Sequence, residues 1–329
     1  MNVEKKNFSN FPLGNKKGIF FTFAAIVLSI VIIFSFNVYT GYRLKDKMEV
    51  TEIRINTMNN FIKDLENDMG NAIYISGFRS LLSLEDYMME NNKFFGEDGA
   101  PSLAAAFGEV FRYGTIDSEK MSLMEGNTFL NWTERMKVEA NKTGINLEFN
   151  VDSVSISHTS PWIVEITVQL DITVNDKKGI ASWAITNEDY TGQINITSED
   201  KAGIDKDKFV DPLYLVNTNG LVNNTIRETP YSDWPNDLSS HLNGYYYIEN
   251  SDAPSYLMRF ENDLSSDSNG IESLVTDRLK DEGYSLLARS AVDYIYFVTP
   301  GGCNVVDVVD TDFYLDDPAH TGFYSTSCV

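Results

Sequence analysis

The hydrophobic pattern along the chain changes period twice. From Ile19 to Phe36 it has no polar side at all, reading IFFTFAAIVLSIVIIFSF with only Thr22, Ser29 and Ser35 as polar positions. Eighteen such residues, at 1.5 Å rise each, cover about 27 Å, close to the hydrocarbon thickness of a bilayer. The hydroxyls are tolerated there because they bond back to the helix's own carbonyls. Globular cores seldom need a helix that is apolar on every face, so a membrane-inserting helix is predicted. A removed secretory signal fits less well, because the run ends in bulky Phe34, Phe36 and Tyr39 rather than small residues.

Beyond Tyr39 the period becomes that of an amphipathic helix. Met48, Val50, Ile53, Met58, Phe61, Ile62, Leu65, Met69, Ala72 and Ile73 recur mostly three or four apart, with Lys63, Asp64, Glu66, Asn67 and Asp68 between them. No proline lies between Gly14 and Gly77, so one helix over residues 19–77 is predicted, with Gly70 a place to kink. From Ile19 to Ile75 it would be about 85 Å long. The stripe does not read as a strict heptad over three repeats, which argues against a coiled coil. Residues 78–142 read as shorter helices. One carries Leu81, Leu82, Leu84, Tyr87 and Met88; one has Pro101 in its first turn; one runs over about 118–141 to a stop at Gly144. Their methionines fill space.

At Ile145 the period switches to two. Ile145, Leu147, Phe149 and Val151 alternate with polar residues, then the phase slips at Ser153, as at a β-bulge. Trp162, Val164, Ile166, Val168, Leu170, Ile172 and Val174 form the strongest strand, and Asn175 to Gly179 a hairpin loop. Strands over 180–186 and 193–197 would complete a four-stranded antiparallel meander with one apolar face against a helix. The polar stretch Ser198 to Asp207 reads as a linker. Beyond it, 245–248 and 292–298 read as strands and 271–282 as a helix. The fold class is therefore α+β: a long N-terminal helix packed on an antiparallel meander, additional helices, and a smaller C-terminal α+β domain over 199–329.

Charge narrows the function classes. The net charge is −22, but residues 1–17 carry +3 and the apolar run none, so the chain from Asn37 onward sums to −25. Such a surface repels phosphate, which excludes nucleic acid as a partner. Lysines before the run favour a cytoplasmic N-terminus, although Arg43, Lys45 and Lys47 follow it. The acidic bulk favours an outside location for the remainder. There, Cys303 and Cys328, the only cysteines, are expected to close a C-terminal disulfide loop worth about 3 kcal/mol. His158, His241 and His320 begin no metal motif, and no serine sits in a nucleophile elbow, so no metal, cofactor or catalysis is expected. The cluster Asp205, Asp207, Asp211 lacks a calcium loop's glycine and closing glutamate, the cluster Asp307, Asp310, Asp312, Asp316, Asp317 is interleaved with strand-like Val308, Val309 and Phe313, and both read as solvated surface. Outside the membrane, the sequon asparagines Asn131, Asn141, Asn195 and Asn223 would be usable for N-glycosylation.

Lys16-Lys17-Gly18 immediately precedes Ile19 and Phe20. A basic pair, a glycine and a long hydrophobic helix resemble the processing site of type IV pilin-like precursors, of the archaeal kind. A long N-terminal helix followed by a helix-backed meander resembles the pilin architecture as well, over about residues 14–200. The resemblance implies cleavage by a prepilin-type peptidase between Gly18 and Ile19. Phe23 stands where bacterial major pilins carry a glutamate. On this reading residues 1–18 are a leader, 19–77 the long helix with 19–36 its hydrophobic span, and 78–198 a pilin-like head. The expected function is a cell-surface subunit of a type IV pilus-like filament, partnered first by membrane lipid and then by copies of itself through residues 19–36. The alternative is an uncleaved single-pass anchor displaying the same outer part as an adhesin, envelope or ligand-binding protein.

Overall fold

A computed structural model describes residues 16–97, 99–197, 209–221, 224–230, 246–273, 302–304, 314–315 and 318–329, without side chains at 16–20, 22, 41, 44, 46 and 319. The chain divides into two compact units, Met1–Phe61 and Ile62–Val329. The described part of the first is the N-terminal portion of helix α1 (Lys16–Asn91). The second mixes helices with antiparallel sheets, an α+β composition.

Helix α1 continues fourteen residues past the expected end at 77, absorbing the separate helix expected around Leu81–Met88. Its apolar spacing never breaks: Leu81, Leu84 and Met88 are buried like Leu65 and Met69 before them. Gly77 does not stop it, because the residue serves packing instead. A Cβ there would collide with the side chain of Ile166. The buried set Met58, Ile62, Leu65, Met69, Ala72 and Ser76 is spaced alternately four and three apart. That is a heptad, which the neighbouring Val50, Ile53 and Phe61 hide in the sequence.

Helix α2 (Leu103–Tyr113) is capped by Ser102, whose Oγ accepts the Ala105 N–H, and ends at Gly114 with φ 75°. Pro101 therefore precedes the cap instead of sitting in the first turn. The helix expected over 118–141 begins only at α3 (Phe129–Lys142). A tight hairpin of β1 (Thr115–Ile116) and β2 (Glu119–Lys120), then a 3-10 turn over Ser122–Met124, occupies its expected first turns. A capping box explains the later start: Thr128 Oγ1 accepts the Asn131 N–H at 3.0 Å while Asn131 Oδ1 accepts from Thr128 N at 3.4 Å. A file of rings, Phe107, Phe111, Phe129, Trp132 and Phe149, with neighbouring centroids 5.2–5.8 Å apart, runs from α2 through α3 to the sheet.

Among the described residues the main sheet has three strands in the order β3 (Ile145–Ser160), β4 (Ile163–Asp176) and β5 (Ser182–Asn195), each antiparallel to its neighbour. The strands expected over 180–186 and 193–197 are one strand, not two. Residues 187–192 between them form no turn: Glu188 to Gly192 pair with β4, and the ladder only shifts register opposite Asp171, where Asn187 adopts φ 56°. The bulge expected at Ser153 is present, Asp152 being the unpaired residue between Val151 and Ser153. Strand β4 alternates without fault, burying Val164, Ile166, Val168, Leu170, Ile172 and Val174 on one face. Those six side chains contribute on the order of 10 kcal/mol of hydrophobic stabilisation. Helix α1 lies against this face: a Cβ on Gly192 of β5 would stand 2.7 Å from Ile73 Cγ2.

Residues on both sides of the expected linker pack together. Phe95 N–H donates to Phe260 O at 2.9 Å, and Leu103 N–H to Glu261 Oε1 at 2.9 Å. The later elements are α4 (Pro212–Asn217), β6 (Tyr247–Glu249), α5 (Tyr256–Arg259), β7 (Ile271–Ser273) and α6 (Ala319–Phe323). Ile271–Ser273 was expected to open a helix. It is instead a strand, buried throughout and paired antiparallel with β6, so cross-strand burial overrides local pattern. The expected linker, the strand over 292–298 and Tyr245 lie outside the described residues.

Candidate functional site: the exposed apolar half of the first helix

The first unit presents an unusual surface. Within α1 the window Phe23–Thr40 has a mean hydropathy of 2.2, and none of it is buried. Phe21 is 71% exposed and Phe36 67%, with Ile26, Leu28, Ile33 and Phe34 similarly bare. Three of its polar side chains are turned inward along the backbone. Ser29 Oγ donates to Ala25 O at 2.9 Å, Asn37 Nδ2 to Ile33 O at 3.1 Å and Thr40 Oγ1 to Phe36 O at 2.6 Å. The helix surface is thereby left with little unmet hydrogen-bonding demand, the condition for a segment in hydrocarbon. One helix near the N-terminus is thus long and apolar enough to cross a membrane, as an anchor or a signal sequence does. At its far end Tyr39 and Tyr42 are exposed, and the Arg43 guanidinium lies 5.7 Å from the Tyr39 ring centroid. Aromatic and basic side chains of this kind favour the headgroup level of a bilayer.

The expected cleavage residues Gly18 and Ile19 have helical backbone within α1, and their side chains are outside the described residues. Cys303 and Cys328 are joined in a disulfide with a Cα separation of 5.5 Å. Backbone hydrogen bonds fasten the same region, Cys303 with Leu315 in both directions and Val329 N–H to Asn304 O at 2.9 Å. Asn131 and Asn141 are exposed on α3, Asn195 is half-buried at the end of β5, and Asn223 lies outside the described residues. These positions are not brought together.

The acidic cluster at 205–211 proves different at its one described member. Asp211 is fully buried, caps α4 by accepting the Leu213 N–H at 3.0 Å, and forms an ion pair of 2.5 Å with the equally buried Arg259. Tyr247 donates its hydroxyl to the same carboxylate at 2.7 Å. Solvated surface was the wrong expectation there, although Asp-Pro before an apolar run is a legible helix start. The second cluster lies outside the described residues. Nearby, Glu272 accepts from Asn250 at 2.6 Å and Tyr324 at 3.1 Å and faces His320 Nε2 at 2.8 Å. Glu85 of α1 accepts from the Tyr256 hydroxyl at 2.8 Å and the Val210 N–H at 3.0 Å. Burial pushes the Glu85 carboxyl well above its ordinary range, and burial with the Glu85 charge pushes the Tyr256 hydroxyl up. His158 bridges elements too: its Nδ1 faces Ser160 O at 3.1 Å and its Nε2 accepts the Leu257 N–H at 3.3 Å. Desolvation holds its pKa below the ordinary value. Sequence reading missed this network, since its members are far apart along the chain. Among the described residues no group of three or more His, Cys, Asp or Glu is placed to hold a metal ion. No family model matches the chain, and no curated protein or solved structure matches it either.

Proposed function

We propose that the protein is a pilin-like cell-surface subunit, assembled through its apolar helix into a type IV pilus-like filament. The observation that carries this reading is the unburied window Phe23–Thr40. So much apolar surface on one helix must be covered by lipid or by other copies. Lipid covers it after insertion, with the N-terminus cytoplasmic and the acidic bulk outside. A prepilin-type peptidase then cuts between Gly18 and Ile19, and side-to-side packing of helices replaces lipid in the filament. The packing of α1 on an antiparallel sheet, through Gly192 against Ile73, supports a pilin-like head. The disulfide suits an extracellular location. Filament assembly needs no catalysis and no cofactor.

The second reading is an uncleaved single-pass anchor displaying the same outer part. It is favoured by the Tyr39, Tyr42 and Arg43 collar, which suits permanent residence at a membrane surface. Electron microscopy of sheared surface material, with antibody against the outer part, separates the two. Labelled filaments support assembly; label confined to the membrane fraction supports the anchor. In the filament reading Gly18→Val blocks processing and abolishes the filaments.

A further inference from the structure

The heptad buried on α1 at Met58, Ile62, Leu65, Met69, Ala72 and Ser76 extends toward the N-terminus in the same register. It falls next on Ile55, Thr51 and Met48, where burial ends: Ile55 is 39% exposed and Met48 72%. Together with Lys47, Glu52 and Asn56 these three line an open groove of about 420 Å³. Thr51 spends its hydroxyl on Lys47 O at 2.8 Å, which leaves its methyl for the groove. Lys47 and Glu52 are five residues apart, which on a helix places them on opposite flanks of the Met48–Thr51–Ile55 seam. A hydrocarbon environment does not suit a seam edged by two opposite charges; the edge of a parallel helix pair does.

We propose that Met48, Thr51 and Ile55 form a seam that docks the same seam of a second copy in parallel, with Lys47 of each copy facing Glu52 of the other. The inference rests on the self-assembly reading and adds a place, an orientation and a specificity device to it. Copies inserted in the membrane the same way run parallel, and the repeat then sets Lys47 of one opposite Glu52 of the next, twice by symmetry. Charged flanks of this kind select partner and register. Val50 and Ile53, exposed on another side of the helix, leave the pair open to further neighbours.

The test is energy transfer between donor- and acceptor-labelled full-length chains in zwitterionic lipid vesicles. Lys47→Glu and Glu52→Lys should each weaken association about tenfold, since two attractions become two repulsions. The double variant should return to within about threefold of the unmodified chain, and Glu49→Lys, outside the seam, should change it by less than about twofold. Single variants that leave association unchanged, or a double variant as weak as either single, overturn the seam while self-assembly stands. Absence of association in the unmodified chain at every protein-to-lipid ratio overturns both.

Discussion

Gly192→Ala isolates the contact that joins the first helix to the sheet. The added methyl carbon would stand 2.7 Å from Ile73 Cγ2 and 3.1 Å from the Tyr74 backbone nitrogen. Apolar carbons prefer about 3.5–4.0 Å, so relief requires close to 1 Å of movement. Ile73 gives little, because a β-branched side chain in a helix is held in one rotamer and is fully buried here. The Tyr74 nitrogen moves only with the helix. The expected cost is that of overpacking a core, about 1–3 kcal/mol. In a unit of this size that lowers the melting temperature by roughly 2–4 °C per kcal/mol. Ile73→Leu removes the offending branch, so the pair Gly192→Ala, Ile73→Leu should recover part of the loss in a double-mutant cycle. The assay is urea and thermal unfolding of the full chain in detergent, followed by tryptophan fluorescence. A Gly192→Ala protein within about 0.5 kcal/mol of the parent would refute the close approach of α1 and β5.

The buried groups make further outcomes testable. Because the folded pKa of Glu85 is raised, its favourable contribution is complete below the ordinary value of 4.5 and is lost as pH rises above it. Glu85→Gln, which keeps the acceptor for Tyr256 and Val210, should therefore stabilise the protein at neutral pH and flatten that part of the stability–pH curve. The folded pKa of His158 is lowered, so its contribution is present above the ordinary 6.5 and lost as pH falls below it. His158→Gln should reduce the slope on that side, read from unfolding midpoints between pH 4 and 7. Arg259→Met removes the buried Arg259–Asp211 ion pair and should cost about 3–5 kcal/mol in urea unfolding. Cys303→Ser should cost about 3 kcal/mol and open the last residues to protease, and alkylation of the unreduced parent should add no mass at either cysteine.

How far the fold was legible depended on whether the pattern was local. From Val164 to Val174 strand β4 announces itself because each inward position is apolar and each outward one polar, and in β3 the slip at Ser153 marks the bulge without any neighbour being known. The length of α1 was underestimated because Gly77 looks like a stop until Ile166 is seen across from it. The strands expected over 180–186 and 193–197 are the single strand β5, because the stretch between them, ending in Thr191-Gly192, reads as a turn by composition yet pairs with β4 from Glu188 to Gly192. Burial of Asp211 and Arg259 was invisible for a different reason. Each is a charged residue in isolation, and only the fold brings them together from 48 positions apart. The candidate site lay at the legible extreme, since eighteen successive residues without a charge need no tertiary context to be read.

The central claim is that residues 1–18 are a leader and that the apolar helix begins the mature chain. Intact-mass analysis with N-terminal sequencing of the protein recovered from sheared surface material tests it directly. The account predicts a chain starting at Ile19. A chain starting at Met1 or Asn2 would contradict it.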